Sequence, residues 1–245
     1  NAPSAESTSA PVKVTSDKEK NTKKTKEEPS SPAEKTTEAE TTINAVEIPL
    51  DFPEYSEDFF SGDLFTGGAI ISGFEAYAKL PSENIFADAY YNHGNVLTST
   101  VDDTGKYLWD YAAEKKPAII YFMLGLNSVS TMSNEDMTAA VSEVVDKFRE
   151  SSPESKVVLL SMTPISESNT LVDAGVDNER IQSYNKDLQA LAKEKGCSYL
   201  DLYPLLAENG TLKDDYDAGT GYSISGKGYS DILGYIQAAV KAGAI

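Results

Sequence analysis

The sequence predicts a three-layer α/β/α sandwich, with a central parallel sheet of about five strands and helices on both faces. Residues 118–124 (AIIYFML) and 157–162 (VVLLSM) are short, unbroken apolar runs, the pattern of strands covered on both faces. Between and after them lie stretches with apolar residues at helical spacing. Strand-like and helix-like segments alternate to the end of the sequence, the order expected of βαβ units.

In chain order, the strand candidates are 58–61, 85–90, 118–124, 157–162 and 198–202. The strongest helix follows Ser133, an N-cap with Asp136 three residues on, and places Met137, Ala140, Val141, Val144, Val145 and Phe148 on one face. Residues 178–195 carry Ile181, Tyr184, Leu188, Leu191 and Ala192 on one stripe, and Gly196 ends it. Ser225 opens a last helix through Tyr229, Ile232, Leu233, Ile236 and Val240. Residues 67–80 and 105–115 are weaker helical candidates. In such sheets ligands bind at the carboxyl ends of the strands, which directs attention to the loops after Ser61, Tyr90, Leu124, Met162 and Leu202.

Composition separates the first 44 residues from the rest. They hold 6 Ser, 8 Thr and 4 Pro, and no aromatic residue. Such a segment has too little apolar surface to offset its chain entropy and reads as a disordered linker over 1–44, ahead of one domain over 45–245. Linkers of this kind tether bacterial surface and secreted proteins, so the expected location is extracellular or at the cell surface, with the linker as the tether. The whole chain carries 21 Lys+Arg against 39 Asp+Glu, net -18, which argues against nucleic acid as a partner. No run of 18 apolar residues exists, so no transmembrane segment is expected. One cysteine, Cys197, excludes an internal disulfide, and one histidine, His93, excludes two-histidine zinc sites. No cofactor and no metal are expected. Any serine–histidine chemistry has to run through His93.

Five loop motifs together carry a resemblance. Gly62-Asp63-Leu64-Phe65-Thr66-Gly67-Gly68 fits G-D-S-L-T-x-G. Gly94, in Tyr91-Asn92-His93-Gly94-Asn95, supplies a glycine after the second strand. Gly125-Leu126-Asn127-Ser128 fits G-x-N-D, Met162-Thr163-Pro164 resembles a T-P turn after the fourth strand, and Thr220-Gly221-Tyr222-Ser223-Ile224-Ser225 fits D-G-x-H-L-S before the last helix. The chain thus resembles the SGNH (GDSL-type) hydrolases from about Tyr55 to Val240. The resemblance implies an α/β/α fold with a serine nucleophile in the first motif. It also implies an oxyanion hole from that serine's N–H, the Gly94 N–H and the Asn127 amide, and a histidine base oriented by an aspartate three residues earlier.

The reactive residues are absent. Leu64 stands at the nucleophile position, Ser223 at the base and Thr220 at the orienting acid. A leucine has no nucleophilic atom, and a serine accepts no proton at neutral pH. The expectation is therefore a degenerate hydrolase-like domain that binds a small molecule or glycan. Gly94, Asn127, Asp63, His93 and Tyr222 form its ligand-binding rim, and Tyr90 and Tyr91 lie on the same edge. Two alternatives stand beside it: an active acyl or carbohydrate esterase with a rearranged catalytic set, His93 serving as base, and a structural module of a surface assembly.

Overall fold

The computed structural model describes residues 48–77, 80–169, 171 and 174–245. The linker expected over 1–44 lies outside them. Five parallel strands, β1 (Leu64–Gly67), β2 (Ile85–Ala87), β3 (Ile119–Met123), β4 (Lys156–Leu160) and β5 (Ser198–Leu200), form one sheet in the order β2-β1-β3-β4-β5. Helices cover both faces, as the alternation predicts.

The strand pleat explains how a continuous apolar run serves two cores, because successive side chains point to opposite faces. Leu64, Ile120, Phe122, Val157 and Leu159 face one layer, packing with α2 (Leu108–Lys115), α3 (Asn134–Ser151) and α4 (Asn178–Lys195). Phe65, Tyr121, Met123, Val158 and Leu160 face the other, packing with α1 (Ala69–Tyr77) and α6 (Gly226–Lys241). Phe65 stacks on Tyr121 with centroids 4.6 Å apart and meets Phe74 of α1 at 5.3 Å. Burying each such ring contributes roughly 1.5–3 kcal/mol.

The helix signals act as expected. Ser133 Oγ accepts the Asp136 N–H at 3.0 Å, Asp177 Oδ1 accepts the Arg180 N–H at 2.7 Å, and Gly196 ends α4 in the left-handed region at φ +60°. Ser225 caps α6 through the Gly228 N–H at 3.3 Å.

The first strand differs from its expected place. Residues 58–61 do not extend; Glu57–Phe60 is a 3-10 turn, closed by the Ser61 N–H on the Asp58 carbonyl at 3.2 Å, and the strand begins at Leu64. Phe60 is the buried residue of that turn, and Phe59 packs edge-on to it at 5.0 Å. Two further elements had no sequence expectation: the short helix α5 (Tyr203–Leu206) and the antiparallel pair β6 (Ala207–Glu208) and β7 (Thr211–Leu212). Asn209 and Gly210, both at positive φ, make the turn of that hairpin.

Candidate functional site

The strand order reverses between β1 and β3, and that point of an open parallel sheet is where a crevice forms at the carboxyl edge. Three segments meet there: the β1–α1 turn, the loop after β2 and the loop after β3. Gly67 and Gly68 are what let them meet. Gly67 has φ +138°, and a Cβ on it would lie 1.9 Å from the Met123 carbonyl oxygen of β3. A Cβ on Gly68 would lie 2.9 Å from the Tyr91 carbonyl oxygen and 3.4 Å from the Gly125 nitrogen. Glycine is required at the first by conformation and at the second by close approach. Ala69, exposed, follows them and opens α1.

The loops after β2 and β3 are joined by polar side chains. Ser128, which stands where the G-x-N-D motif has aspartate, is buried, and its Oγ accepts the His93 N–H at 3.1 Å. Asn92 Oδ1 accepts the Gly94 N–H at 2.8 Å. Asn127 is exposed, and its Nδ2 reaches only the Ala89 carbonyl, at 3.5 Å. Among the expected oxyanion donors, the Asn127 amide is thus nearly free, whereas the Gly94 N–H is committed to Asn92.

The fourth participant is the loop before α6. Asp217 Oδ1 accepts the N–H groups of Gly219, Thr220 and Gly221 at 2.8, 3.1 and 2.9 Å. Thr220 Oγ1 accepts the Ser223 N–H at 2.9 Å, the role a carboxylate could play at that position. The loop therefore keeps its shape with neutral side chains at 220 and 223. It is tied to the loop after β4, where the Ser166 N–H donates to the Gly221 carbonyl at 2.7 Å. The first turn of α6 packs on the C-terminal half of α1: Phe74 and Tyr77 of α1 pack on Tyr229 of α6 at 5.0 and 5.4 Å, and a Cβ on Gly73 would strike the Tyr229 hydroxyl. Gly226, the first residue of α6, lies beside the Tyr77 ring at the C-terminal end of α1.

Several expected rim residues lie elsewhere. Leu64, expected at the nucleophile position, is 0% exposed inside β1 and packs in the core with residues of α2 and α3. Asp63 sits at the amino end of β1, the opposite edge of the sheet. It is buried, 3.5 Å from the Tyr121 hydroxyl, and desolvation raises its carboxyl from 3.8 to about 6. Tyr91 is also a core residue, its hydroxyl donating to the Ser99 carbonyl at 2.8 Å.

His93 is 3% exposed. Its Nε2 meets the Tyr184 hydroxyl of α4 at 2.9 Å, and Nδ1 has no partner among the described residues. Burial lowers its pKa from 6.5 to about 4, because an imidazolium would hold an N–H with nothing to accept it. The imidazole belongs to the α4 side of the core.

Two tyrosines remain at the rim. Tyr222 is half-buried against the core. Tyr90 is 82% exposed, yet its backbone is held: its N–H donates to Asp88 Oδ1 at 2.7 Å, and its carbonyl accepts from the side chains of Asn92 and Asn95, both at 3.1 Å. Asp88 and Asp102 lie beside it, and the charge of Asp88 raises the Asp102 carboxyl. That acidic neighbourhood disfavours anionic ligands. Among the described residues no group of three or more His, Cys, Asp or Glu is arranged to hold a metal ion, and no helix is long and apolar enough to cross a membrane.

The sequence model of the GDSL-like Lipase/Acylhydrolase family matches residues 72–230, beginning inside α1, past the β1–α1 turn. No curated protein matches. Several solved structures share the fold. A GDSL-like lipase from Bacteroides thetaiotaomicron is 16% identical, with 77% of this chain and 93% of that one covered and a TM-score of 0.59. A provisionally named acylhydrolase from Bacteroides fragilis is 14% identical, with 80% and 93% covered and a TM-score of 0.58. A carbohydrate esterase family 3 protein from Talaromyces cellulolyticus is 13% identical, with 74% and 96% covered and a TM-score of 0.54.

Proposed function

The chain belongs to the GDSL-like lipase/acylhydrolase family, and we propose that this member binds an acylated carbohydrate or similar acyl ligand at the β1–β3 edge without hydrolysing it. One observation carries the reading: the sequence contains a single histidine, and that histidine is buried against Tyr184 with its pKa held near 4. The edge therefore has no imidazole to take a proton from a hydroxyl, the step that makes a serine nucleophilic. A rearranged esterase using His93 as base would need that ring to leave the core.

The β1–α1 turn supports the same conclusion by a different register from Leu64. We read Gly67-Gly68-Ala69-Ile70-Ile71-Ser72-Gly73, the segment that follows β1, as the counterpart of the family's first motif, with Ala69 at the nucleophile position. Thr220 and Ser223 keep the acid and base positions in the loop before α6. What the edge retains is recognition. The Asn127 amide can donate to a carbonyl or sugar oxygen, and Tyr90 offers an exposed ring on a fixed backbone, suited to stacking on a pyranose. The Ser/Thr/Pro-rich first 44 residues support an extracellular or surface-tethered setting for this binding.

The test is turnover of 4-nitrophenyl acetate, together with labelling by a serine-directed fluorophosphonate. No enzymatic hydrolysis and no label are expected. Turnover near the enzyme median of about 10 s⁻¹ would reject the proposal.

A further inference from the structure

A second cavity, of about 450 Å3, lies at the β5 edge of the sheet. β5 stands three strand spacings from β1, roughly 14 Å in the hydrogen-bonding direction, so this cavity is separate from the β1–β3 edge. Its volume is within the range of about 300–1,000 Å3 usual for small-molecule sites. The wall on one side is α4, which contributes Gln182, Lys186 and Gln189, spaced to share one helical face. The wall on the other is the end of β5 with α5, which contributes Tyr199, Asp201 and Tyr203.

These side chains divide into fixed and free groups. The Tyr203 hydroxyl donates to Asn178 Oδ1 at 2.6 Å, and Tyr199 is part of β5, its side chain packed against the core. The Tyr203 hydroxyl is thereby committed, and both rings are held in place as carbon surface. Asp201 Oδ1 accepts the Tyr203 N–H at 2.9 Å; its second oxygen has no partner among the described residues. Lys186 and Gln189 make no hydrogen bond or ion pair among them either.

The cavity thus combines two positioned aromatic rings, one uncommitted carboxylate oxygen, one ammonium and the amides of Gln182 and Gln189. Its formal charges balance, so a neutral ligand fits better than an anion, and the uncommitted polar groups would be left unsatisfied by a purely apolar one. A ring with one C–H face and a perimeter of hydroxyls matches both features. We propose that this cavity is a saccharide-binding site that takes a neutral hexose unit of a glycan. The proposal stands independently of the function assigned to the β1–β3 edge.

Titration calorimetry and backbone-amide NMR with cellotetraose, maltotetraose, mannotetraose and chitotetraose test it. At least one should bind in the millimolar range or tighter, with shifts clustered on α4 and on β5–α5. Binding should weaken about tenfold in each of Lys186→Ala, Gln189→Ala and Asp201→Asn, the scale of one lost hydrogen bond. Lys186 and Gln189 are exposed, and asparagine keeps the Oδ1 that Tyr203 needs, so all three variants should fold, which circular dichroism checks. No binding by any of the four sugars would overturn the proposal, as would unchanged affinity in all three variants. Shifts confined to the loops after β1, β2 and β3 would also overturn it, and would favour the β1–β3 edge as the glycan site.

Discussion

His93 and Asp63 are buried on opposite sides of the fold and should give stability opposite dependences on pH. Burial lowers His93 to about 4 from an ordinary 6.5. Below pH 6.5 the unfolded chain takes up a proton that the folded chain refuses, so the stability linked to His93 is lost as pH falls from 6.5 towards 4. At 1.36 kcal/mol per pKa unit the loss is about 3 kcal/mol. Asp63 works the other way. Its folded value of about 6 lies above its ordinary 3.8, so the folded state takes up the proton first, and stability rises as pH falls from 6 towards 3.8, again by about 3 kcal/mol. In the parent protein the two nearly offset each other over that window. The assay is urea unfolding of the parent, His93→Gln and Asp63→Asn at neutral pH and near pH 4, compared as differences so that every other titrating group cancels. His93→Gln should gain about 3 kcal/mol relative to the parent on acidification. Asp63→Asn should be more stable than the parent by about 3 kcal/mol at neutral pH and should lose that advantage near pH 4. Stability curves for the two variants that run parallel to the parent's would refute the burial argument, and with it the exclusion of His93 from the site.

Other outcomes follow from the same geometry. Gly67→Ala should destabilise by at least about 3 kcal/mol in the same unfolding assay, because its Cβ would meet the Met123 carbonyl at 1.9 Å on a backbone of positive φ. Ser225→Ala should cost about 1 kcal/mol by removing the α6 cap. Tyr90→Ala, by contrast, should leave the melting temperature unchanged while weakening any ligand of the β1–β3 edge, since the ring is exposed and the loop is held through its backbone.

Much of the fold is written locally. β3 and β4 are legible because a doubly covered strand needs both side-chain sets apolar, and α3, α4 and α6 because stripe, cap and stop coincide. β1 is not, because Asp58-Phe59-Phe60-Ser61 and Leu64-Phe65-Thr66-Gly67 are equally short and apolar, and each is followed by a glycine. Only the pairing of Leu64–Gly67 with Ile120–Met123 on one side and of Phe65–Gly67 with Ile85–Ala87 on the other separates them. That ambiguity is why the first motif can be set on Leu64 or, as proposed above, on Ala69. The Asn209-Gly210 hairpin did carry a local signal, the two-residue turn that favours positive φ. Motif spacing alone singles out Asn127, which the structure leaves exposed at the end of β3, and the 220–223 loop, which it ties to the loop after β4. The burial of His93 could not be read that way, since it depends on Tyr184, far along the chain on α4.

The central claim is that the edge keeps a hydrolase frame without its reactive groups, and rebuilding those groups tests it most directly. Ala69→Ser, Thr220→Asp and Ser223→His, singly and together, would be assayed for ester hydrolysis, with circular dichroism to establish folding. Gly68 stays unchanged, because any side chain there would press on the Tyr91 carbonyl. Triad members act as a unit, so each single variant should match the parent, and the triple variant should show a modest but measurable rate that falls when Asn127→Ala is added. A folded triple variant no faster than the parent would contradict the placement of the three positions, and a parent that already hydrolyses the ester at an ordinary enzymatic rate would contradict the claim itself.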